Sequence, residues 1–201
     1  MITEARVDPV VDCQQAFKAL MNALARPGVV ASIRPSIEKL PAEHAPLVAS
    51  GLTLLDNWRK FAVFGCDALA RQLRELTYGV PAPLEEADYI FIPLSCSGAF
   101  REVLSRAKPG TLPEPHKSAT VFIMLERLTG GQPAWLRGPG VDGSLEISLP
   151  EEGQAWLRAR QEMAFEFPCG IDLIFLTPQG DVLGAPRKIT MGGNDEWVMS
   201  R

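Results

Sequence analysis

Asp172 and Arg187 are the residues that point most directly to chemistry. Asp172 stands at the start of the apolar run 171–176, and Arg187 follows a second apolar run at 181–185. A carboxylate inside an apolar strand needs hydrogen-bond donors, and an arginine binds phosphoryl oxygens through two parallel N–H groups. Two interpretations of Asp172 are open. It accepts hydrogen bonds from the turn at Gly170, or it faces a pocket or a partner together with Arg187.

A glycine-bearing turn gives a second candidate site. Gly138, Pro139 and Gly140 follow Arg137 at the end of a short apolar run. Backbone N–H groups exposed in such a turn can hold an anion, and a plain turn is the alternative because Gly and Pro dominate turns generally. The segment lacks the spacing of a P-loop or of a dinucleotide-binding motif.

The remaining reactive residue types do not assemble into a recognisable catalytic motif. Both histidines lie in proline-flanked loops, where His116 is either a general base or a solvated loop residue. The cysteines are widely spaced among apolar neighbours, with no adjacent base or cation, and are expected to be buried, reduced and without a metal. They are Cys13, Cys66, Cys96 and Cys169. A lysine that forms a Schiff base needs an apolar niche. The lysines here have polar, proline or loop neighbours, and Lys60 alone abuts an apolar strand, so a Schiff-base cofactor is not expected.

Composition narrows the class of protein. The chain has 201 residues, of which 46% are hydrophobic and 22% charged, as in an ordinary globular protein. Its net charge of −4 argues against a nucleic-acid-binding protein. No apolar run approaches the roughly 20 residues that span a bilayer, and the N-terminus lacks the pattern of a signal peptide. We therefore expect a cytoplasmic protein that binds neither nucleic acid nor membrane.

Apolar periodicity predicts helices that alternate with strands. A stripe at i, i+3, i+4 and i+7 predicts a helix over 12–25, capped by Asp12. Its members are Phe17, Leu20, Met21 and Leu24. Further helices are expected at 45–55, 67–76, 100–107 and 151–164. Strands are expected at 29–33, 60–65, 87–94, 118–128, 134–137 and 145–149.

Within this pattern the strand at 118–128 is expected at the centre of a sheet, with 134–137 as its returning partner. The run 167–187 is expected to form a hairpin. This order predicts a three-layer α/β/α domain with a mixed sheet. One domain is expected over residues 1–201, with loose ends at 1–10 and 190–201.

Several blocks of sequence, taken together, resemble a known family. F-P-C-G-I-D-L-I-F at 167–175 and G-A-P-R at 184–187 are similar to the signature of PhnH, the H subunit of the bacterial carbon–phosphorus lyase system. The likeness continues through F-K-A-L-M-N-A-L-A-R-P-G at 17–28 and L-T-L-L-D at 52–56. It also includes P-G-T-L-P-E-P at 109–115 and W-L-R-G-P-G-V at 135–141. The blocks stand in family order.

The resemblance implies a fold, partners and a function. The fold would be similar to that of pyridoxal-phosphate-dependent transferases, without the cofactor or its lysine. The chain would form a homodimer, join the G, I and J subunits, and serve as an accessory subunit while a phosphonate is transferred to the ribose of ATP with loss of adenine. The alternative is an enzyme subunit that itself binds the nucleotide or the phosphonate. Its site would be lined by Arg137, Gly138, Gly140, Asp172 and Arg187.

Overall fold

The computed structural model describes residues 8–192. The helices are α1 Val11–Ala25, α2 Arg34–Ile37, α3 Ala45–Leu54, α4 Asp67–Thr77, α5 Phe100–Arg106 and α6 Glu151–Glu162. The strands are β1 Ala31–Ser32, β2 Lys60–Val63, β3 Val80–Pro81, β4 Tyr89–Ile92, β5 Thr120–Met124, β6 Ala134–Arg137, β7 Leu145–Ile147, β8 Asp172–Leu176, β9 Asp181–Ala185 and β10 Thr190–Gly192. Of the predicted loose ends at 1–10 and 190–201, residues 1–7 and 193–201 lie outside the described residues.

A large sheet organises the described part of the chain. It has seven strands in the order β1-β9-β8-β5-β4-β2-β3. The neighbours from β3 to β8 run parallel, whereas β9 runs antiparallel to both β8 and β1. The predictions of a mixed sheet, of β5 at its centre and of the hairpin β8–β9 are therefore confirmed.

Helices cover both faces of the large sheet. Alternate strand residues such as Phe91 and Phe122 pack with α1, α3 and α4, and these two rings stack with centroids 5.2 Å apart. Val121 of β5 and Leu173 of β8 point to the other face and pack with α5 and α6. The central strands are apolar on both sides because both sides are buried.

A small sheet lies against the face that α5 and α6 cover. Its order is β10-β6-β7, with antiparallel pairing throughout. The prediction that residues 134–137 return alongside β5 is wrong, because β4 and β8 occupy both edges of β5. Residues 190–192 form an ordered strand here, contrary to the expectation of a loose end.

Helix α1 buries only part of the predicted apolar stripe. Ala16, Leu20 and Ala23 are buried, whereas Phe17 and Met21 of the predicted stripe are 47% and 50% exposed. Close approach explains the difference, because a Cβ at Gly184 of β9 would lie 2.5 Å from the Ala23 backbone. Larger side chains on that face would force the helix away from the strand.

The predicted cap of α1 also needs correction. Asp8 Oδ1 accepts hydrogen bonds from the backbone N–H groups of Val10 and Val11, at 2.8 and 3.0 Å. Asp12 instead lies inside the first turn, where its carboxylate is bound by Lys39 Nζ at 2.7 and 2.8 Å. The Asp8 side chain thus binds donors at the start of the helix.

Arg160 of α6 is a buried cation that holds the end of the large sheet. Only 3% of the surface of Arg160 is exposed to solvent. The guanidinium donates to four backbone carbonyls at 2.6–3.2 Å, those of Ile171, Ala185, Pro186 and Ile189. Burial lowers the pKa of Arg160 to about 10, although the nearby charge of Asp172 raises it. The side chain therefore stays charged at neutral pH and links α6 to the ends of β8, β9 and the approach to β10.

Replacing Arg160 with Met should destabilise the protein strongly. The substitution leaves buried carbonyls without donors, which should lower the free energy of unfolding by about 2–4 kcal/mol. Urea unfolding followed by circular dichroism measures this loss. Arg158→Met is the matched control, since Arg158 lies on the same helix and is solvent-exposed. Its loss should stay below about 1 kcal/mol, and equal losses in the two variants would contradict the role assigned to Arg160.

Candidate functional site

Asp172 and Arg187 form a hydrogen-bonded ion pair. Asp172 Oδ2 lies 2.5 Å from Arg187 Nη2, and its Oδ1 accepts the backbone N–H of Arg187 at 2.7 Å. Arg187 Nη1 donates to the carbonyl of Pro115 at 2.5 Å, and Nε donates to Asp172 Oδ1 at 3.3 Å. All three guanidinium nitrogens thus donate to groups within the protein.

This geometry excludes the first of the two interpretations of Asp172. The donors that satisfy its carboxylate come from Arg187, and the expectation of hydrogen bonds at the Gly170 turn is wrong. The N–H of Gly170 donates to the carbonyl of Pro109 at 2.9 Å instead. Asp172 and Arg187 lie together, as the second interpretation supposes, but they bind each other, and a pocket or partner at this pair stays a prediction. The pair fastens the start of β8 to the end of the hairpin and to the loop at 109–117.

The Gly138–Gly140 turn is shaped by close backbone contacts. Gly138 has a φ of 129°, and a Cβ there would lie 2.6 Å from the carbonyl oxygen of Lys188. Gly140 has a φ of 86°, and its Cβ would lie 2.8 Å from the ring of Pro27. Both glycines are therefore needed for conformation and for space.

The structure brings part of the predicted site together. Arg137 ends β6, where its carbonyl accepts the hydroxyl of Thr190 at 3.3 Å. Gly138 packs on Lys188, the residue after Arg187, so this part of the turn adjoins the ion pair along the chain. Gly140 faces the end of α1 instead. Of the predicted residues, Arg137 and Gly138 therefore contact the segment 188–190, whereas Gly140 contacts Pro27 and Ala25.

The position of Asp172 in the sheet bears on its chemistry. Asp172 is the first residue of β8 and pairs with Thr120, the first residue of β5. Arg187 follows the end of the antiparallel strand β9, so both side chains lie at the amino ends of the parallel strands. Open α/β sheets bind ligands outside the carboxyl ends of their strands. The pair therefore stands at the edge opposite the usual binding crevice.

A groove of about 530 Å³ lies beside the small sheet. Its lining residues include Gln154, Arg158 and Gln161 of α6 and Met191 of β10. The five predicted site residues are not among those that line it. Arg158 is already paired there, with the carboxylate of Glu151 and the amide oxygen of Gln154.

The carboxyl edge holds a pair of residues that the sequence did not reveal. His44 Nε2 lies 3.8 Å from Cys66 Sγ, which corrects the expectation that the cysteines have no adjacent base. The pair joins the start of α3 to the start of α4, and 22 residues separate the two in sequence. Cys169 is buried as predicted, whereas Cys13, Cys66 and Cys96 are half-buried.

Other site types find no support in the described part of the chain. Among residues 8–192 there is no group of three or more His, Cys, Asp or Glu side chains arranged to hold a metal ion. His116 is exposed in its loop. Within the same residues, none of the helices combines the length and apolarity needed to cross a bilayer.

Replacing Asp172 with Ala should reduce stability. Arg187 would keep its charge in a half-buried position after losing the carboxylate, so the free energy of unfolding should fall by about 1–3 kcal/mol. Urea unfolding measures the change. Asp181→Ala is the matched control, because Asp181 opens β9 of the same hairpin and is exposed. That variant should stay within about 0.5 kcal/mol of wild type, and an unchanged Asp172→Ala protein would show that the ion pair is dispensable.

Comparison with known proteins identifies the family. The family described as "Bacterial phosphonate metabolism protein (PhnH)" matches residues 5–191. The subunit PhnH of alpha-D-ribose 1-methylphosphonate 5-triphosphate synthase from Rhizobium meliloti (strain 1021) is 32% identical, over 91% of this chain and 92% of its own length. A putative C-P lyase subunit protein, HtxG of Stutzerimonas stutzeri, is 29% identical over 82% of this chain and 78% of its own length. The chain therefore belongs to the PhnH family of bacterial phosphonate metabolism proteins.

Proposed function

We propose that this chain is an accessory subunit of the carbon–phosphorus lyase complex in phosphonate catabolism. In this role it supports the transfer of a phosphonate to the ribose of ATP without carrying out the chemistry itself. Its two relatives are named as subunits, one of a ribose 1-methylphosphonate 5-triphosphate synthase and one of a C-P lyase. The observation that carries the proposal is an aromatic surface at one edge of the large sheet.

The aromatic surface consists of Trp58, Arg59 and Tyr78 beside the edge strand β3. Trp58 is 82% exposed and Tyr78 is 80% exposed. Trp, Tyr and Arg are the residue types that contribute most binding energy in protein interfaces. Bulky aromatic side chains in water are typical of a surface that a partner covers.

Hydrogen bonds hold the backbone beneath these side chains. Asp56 Oδ1 accepts the N–H groups of Trp58 and Arg59 at 2.9 and 3.0 Å. On the other side, Gly79 N–H donates to the hydroxyl of Thr77 at 3.1 Å, directly after Tyr78. A fixed backbone reduces the conformational entropy lost on binding. The surface is therefore suited to a specific protein contact.

The geometry of the ion pair supports an accessory role over direct catalysis. To bind a phosphoryl group, Arg187 would have to leave the carboxylate of Asp172 and the carbonyl of Pro115. Breaking such a half-buried pair is costly. The alternative, a subunit that binds the nucleotide or phosphonate through Arg137, Gly138, Gly140, Asp172 and Arg187, is accordingly less well supported.

Three finer points belong to the same proposal. The seven-stranded mixed sheet between helical layers supports a relation to the pyridoxal-phosphate-dependent transferase fold. The four free cysteines support a reducing compartment such as the cytoplasm. A homodimer in the absence of the partner subunits is expected from the family resemblance, and sedimentation of the isolated chain would test it.

Co-expression with the G, I and J subunits from the same source tests the accessory role. The chain should co-elute with them in size-exclusion chromatography. Trp58→Ala should weaken the association at least about tenfold, the loss expected for an aromatic residue that contributes strongly to binding. Biolayer interferometry with the immobilised partner complex measures the affinity.

Met21→Ala is the matched control for this experiment. Met21 is a half-exposed apolar residue on α1, which packs near the opposite edge of the sheet. The Met21→Ala protein should bind the partner complex with the same affinity as wild type. Failure of the wild-type chain to co-elute would contradict the accessory role, whereas equal affinities for wild type and Trp58→Ala would contradict only the placement of the surface. Titration of the isolated chain with ATP and methylphosphonate should give no heat, and binding there would favour the alternative.

A further inference from the structure

We infer that Cys66 is a nucleophilic thiol with His44 as its base, forming a site for covalent modification by soft electrophiles. The inference does not depend on the accessory role. It uses residues at the carboxyl edge of the sheet, whereas Asp172 and the aromatic surface lie at the amino ends of the strands. Its basis is the position of the pair in the fold, the geometry of the two side chains and the contrast with Cys96.

The pair lies where the order of the strands reverses. From β2 the chain passes through α4 to β3, and from β4 it passes through α5 to β5, in the opposite direction along the sheet. The helices α4 and α5 pack on opposite faces. A crevice between the carboxyl ends of two such strands is the usual binding site of open α/β sheets. Cys66 follows β2 at this point.

Gly65 allows the loop after β2 to contact the loop after β4. Gly65 has a φ of 72°, and a Cβ there would lie 2.4 Å from Cys96 Sγ. The loop after β2 therefore touches the loop after β4 at a position that only glycine fits. This contact places Cys96 next to the residue that precedes Cys66, so both thiols lie at the same carboxyl edge of the sheet.

The geometry of His44 suits a base. Its Nε2 lies 3.8 Å from Cys66 Sγ, within hydrogen-bonding distance for sulfur. Glu43 Oε1 lies 3.7 Å from the same nitrogen, so a carboxylate stands beside the imidazole. The side chain of His44 is 20% exposed, so the pair is neither sealed nor fully solvated. A thiol next to an imidazole is the common arrangement of a cysteine nucleophile.

Other neighbours set the local charge. Cys66 immediately precedes the first turn of α4, where the partial positive charge of a helix N-terminus lies. Asp67 follows Cys66 and acts against it, and Glu43 is 88% exposed and therefore screened. Cys96 lacks a histidine among its described contacts, and its sulfur lies 3.8 Å from the Ser95 hydroxyl.

The reaction with iodoacetamide shows the chemistry. Cys66 Sγ attacks the methylene carbon while His44 Nε2 accepts the thiol proton. A carbon–sulfur bond forms, the carbon–iodine bond breaks and iodide leaves. The imidazolium then returns its proton to water. No oxidant or other co-reactant is required.

Rates of alkylation test the inference within a single protein. The folded chain is treated with iodoacetamide at pH 7 for increasing times, and each cysteine is quantified by peptide mass spectrometry. Cys66 should react about tenfold faster than Cys96, since a neighbouring base raises the reactivity of a thiol. Cys66→Ser identifies the labelled peptide. Equal rates for Cys66 and Cys96 would overturn the inference without any need for a variant.

His44→Asn separates the base from simple exposure. Asparagine tolerates the left-handed backbone of His44, whose φ is 58°. In this variant the rate at Cys66 should fall about tenfold, to that of Cys96, because the base is gone. The rate at Cys96 should not change. An unchanged rate at Cys66 in a folded His44→Asn protein, as judged by circular dichroism, would show that His44 is not the base.

Discussion

The buried guanidinium of Arg160 is the constraint on which one end of the structure depends. A charge removed from water must be matched by hydrogen bonds, and here four backbone carbonyls match it. Those carbonyls belong to the start of β8, the end of β9 and the residue before β10. Helix α6, the large sheet and the small sheet are thereby joined at one point. A local rearrangement of this region would leave a buried charge unmatched.

The ion pair of Asp172 and Arg187 extends the same arrangement outward. Asp172 begins β8 one residue after Ile171, whose carbonyl Arg160 binds. Arg187 follows Pro186, another acceptor of Arg160, and reaches the loop at Pro115. The amino edge of the sheet is thus closed by charges that satisfy one another. The exposed aromatic surface near Trp58 lies farther along the same edge, beside β2 and β3, whereas Cys66 lies at the carboxyl edge.

Sequence patterns predicted local structure well because local structure follows from nearest neighbours. Apolar runs bounded by Gly and Pro located β5, β8 and β9, and the hairpin followed from the turn at 178–180. Patterns failed where partners were remote. The strand β6 was expected beside β5, although the edges of β5 were already taken. The exposed side of α1 was misjudged because Gly184, far along the chain, selects the small residues that face the sheet.

By itself the sequence determined the α/β class, the mixed sheet, the central strand and the PhnH family, since each rests on periodicity or on motifs contiguous in the chain. It also named Asp172 and Arg187 as one site. Only the tertiary structure decided that these two side chains form an ion pair with each other, that Arg160 binds the surrounding carbonyls, and that His44 lies beside Cys66. These facts depend on distances between residues 11–29 positions apart. Such distances arise when helices and sheets pack, and no local pattern encodes them.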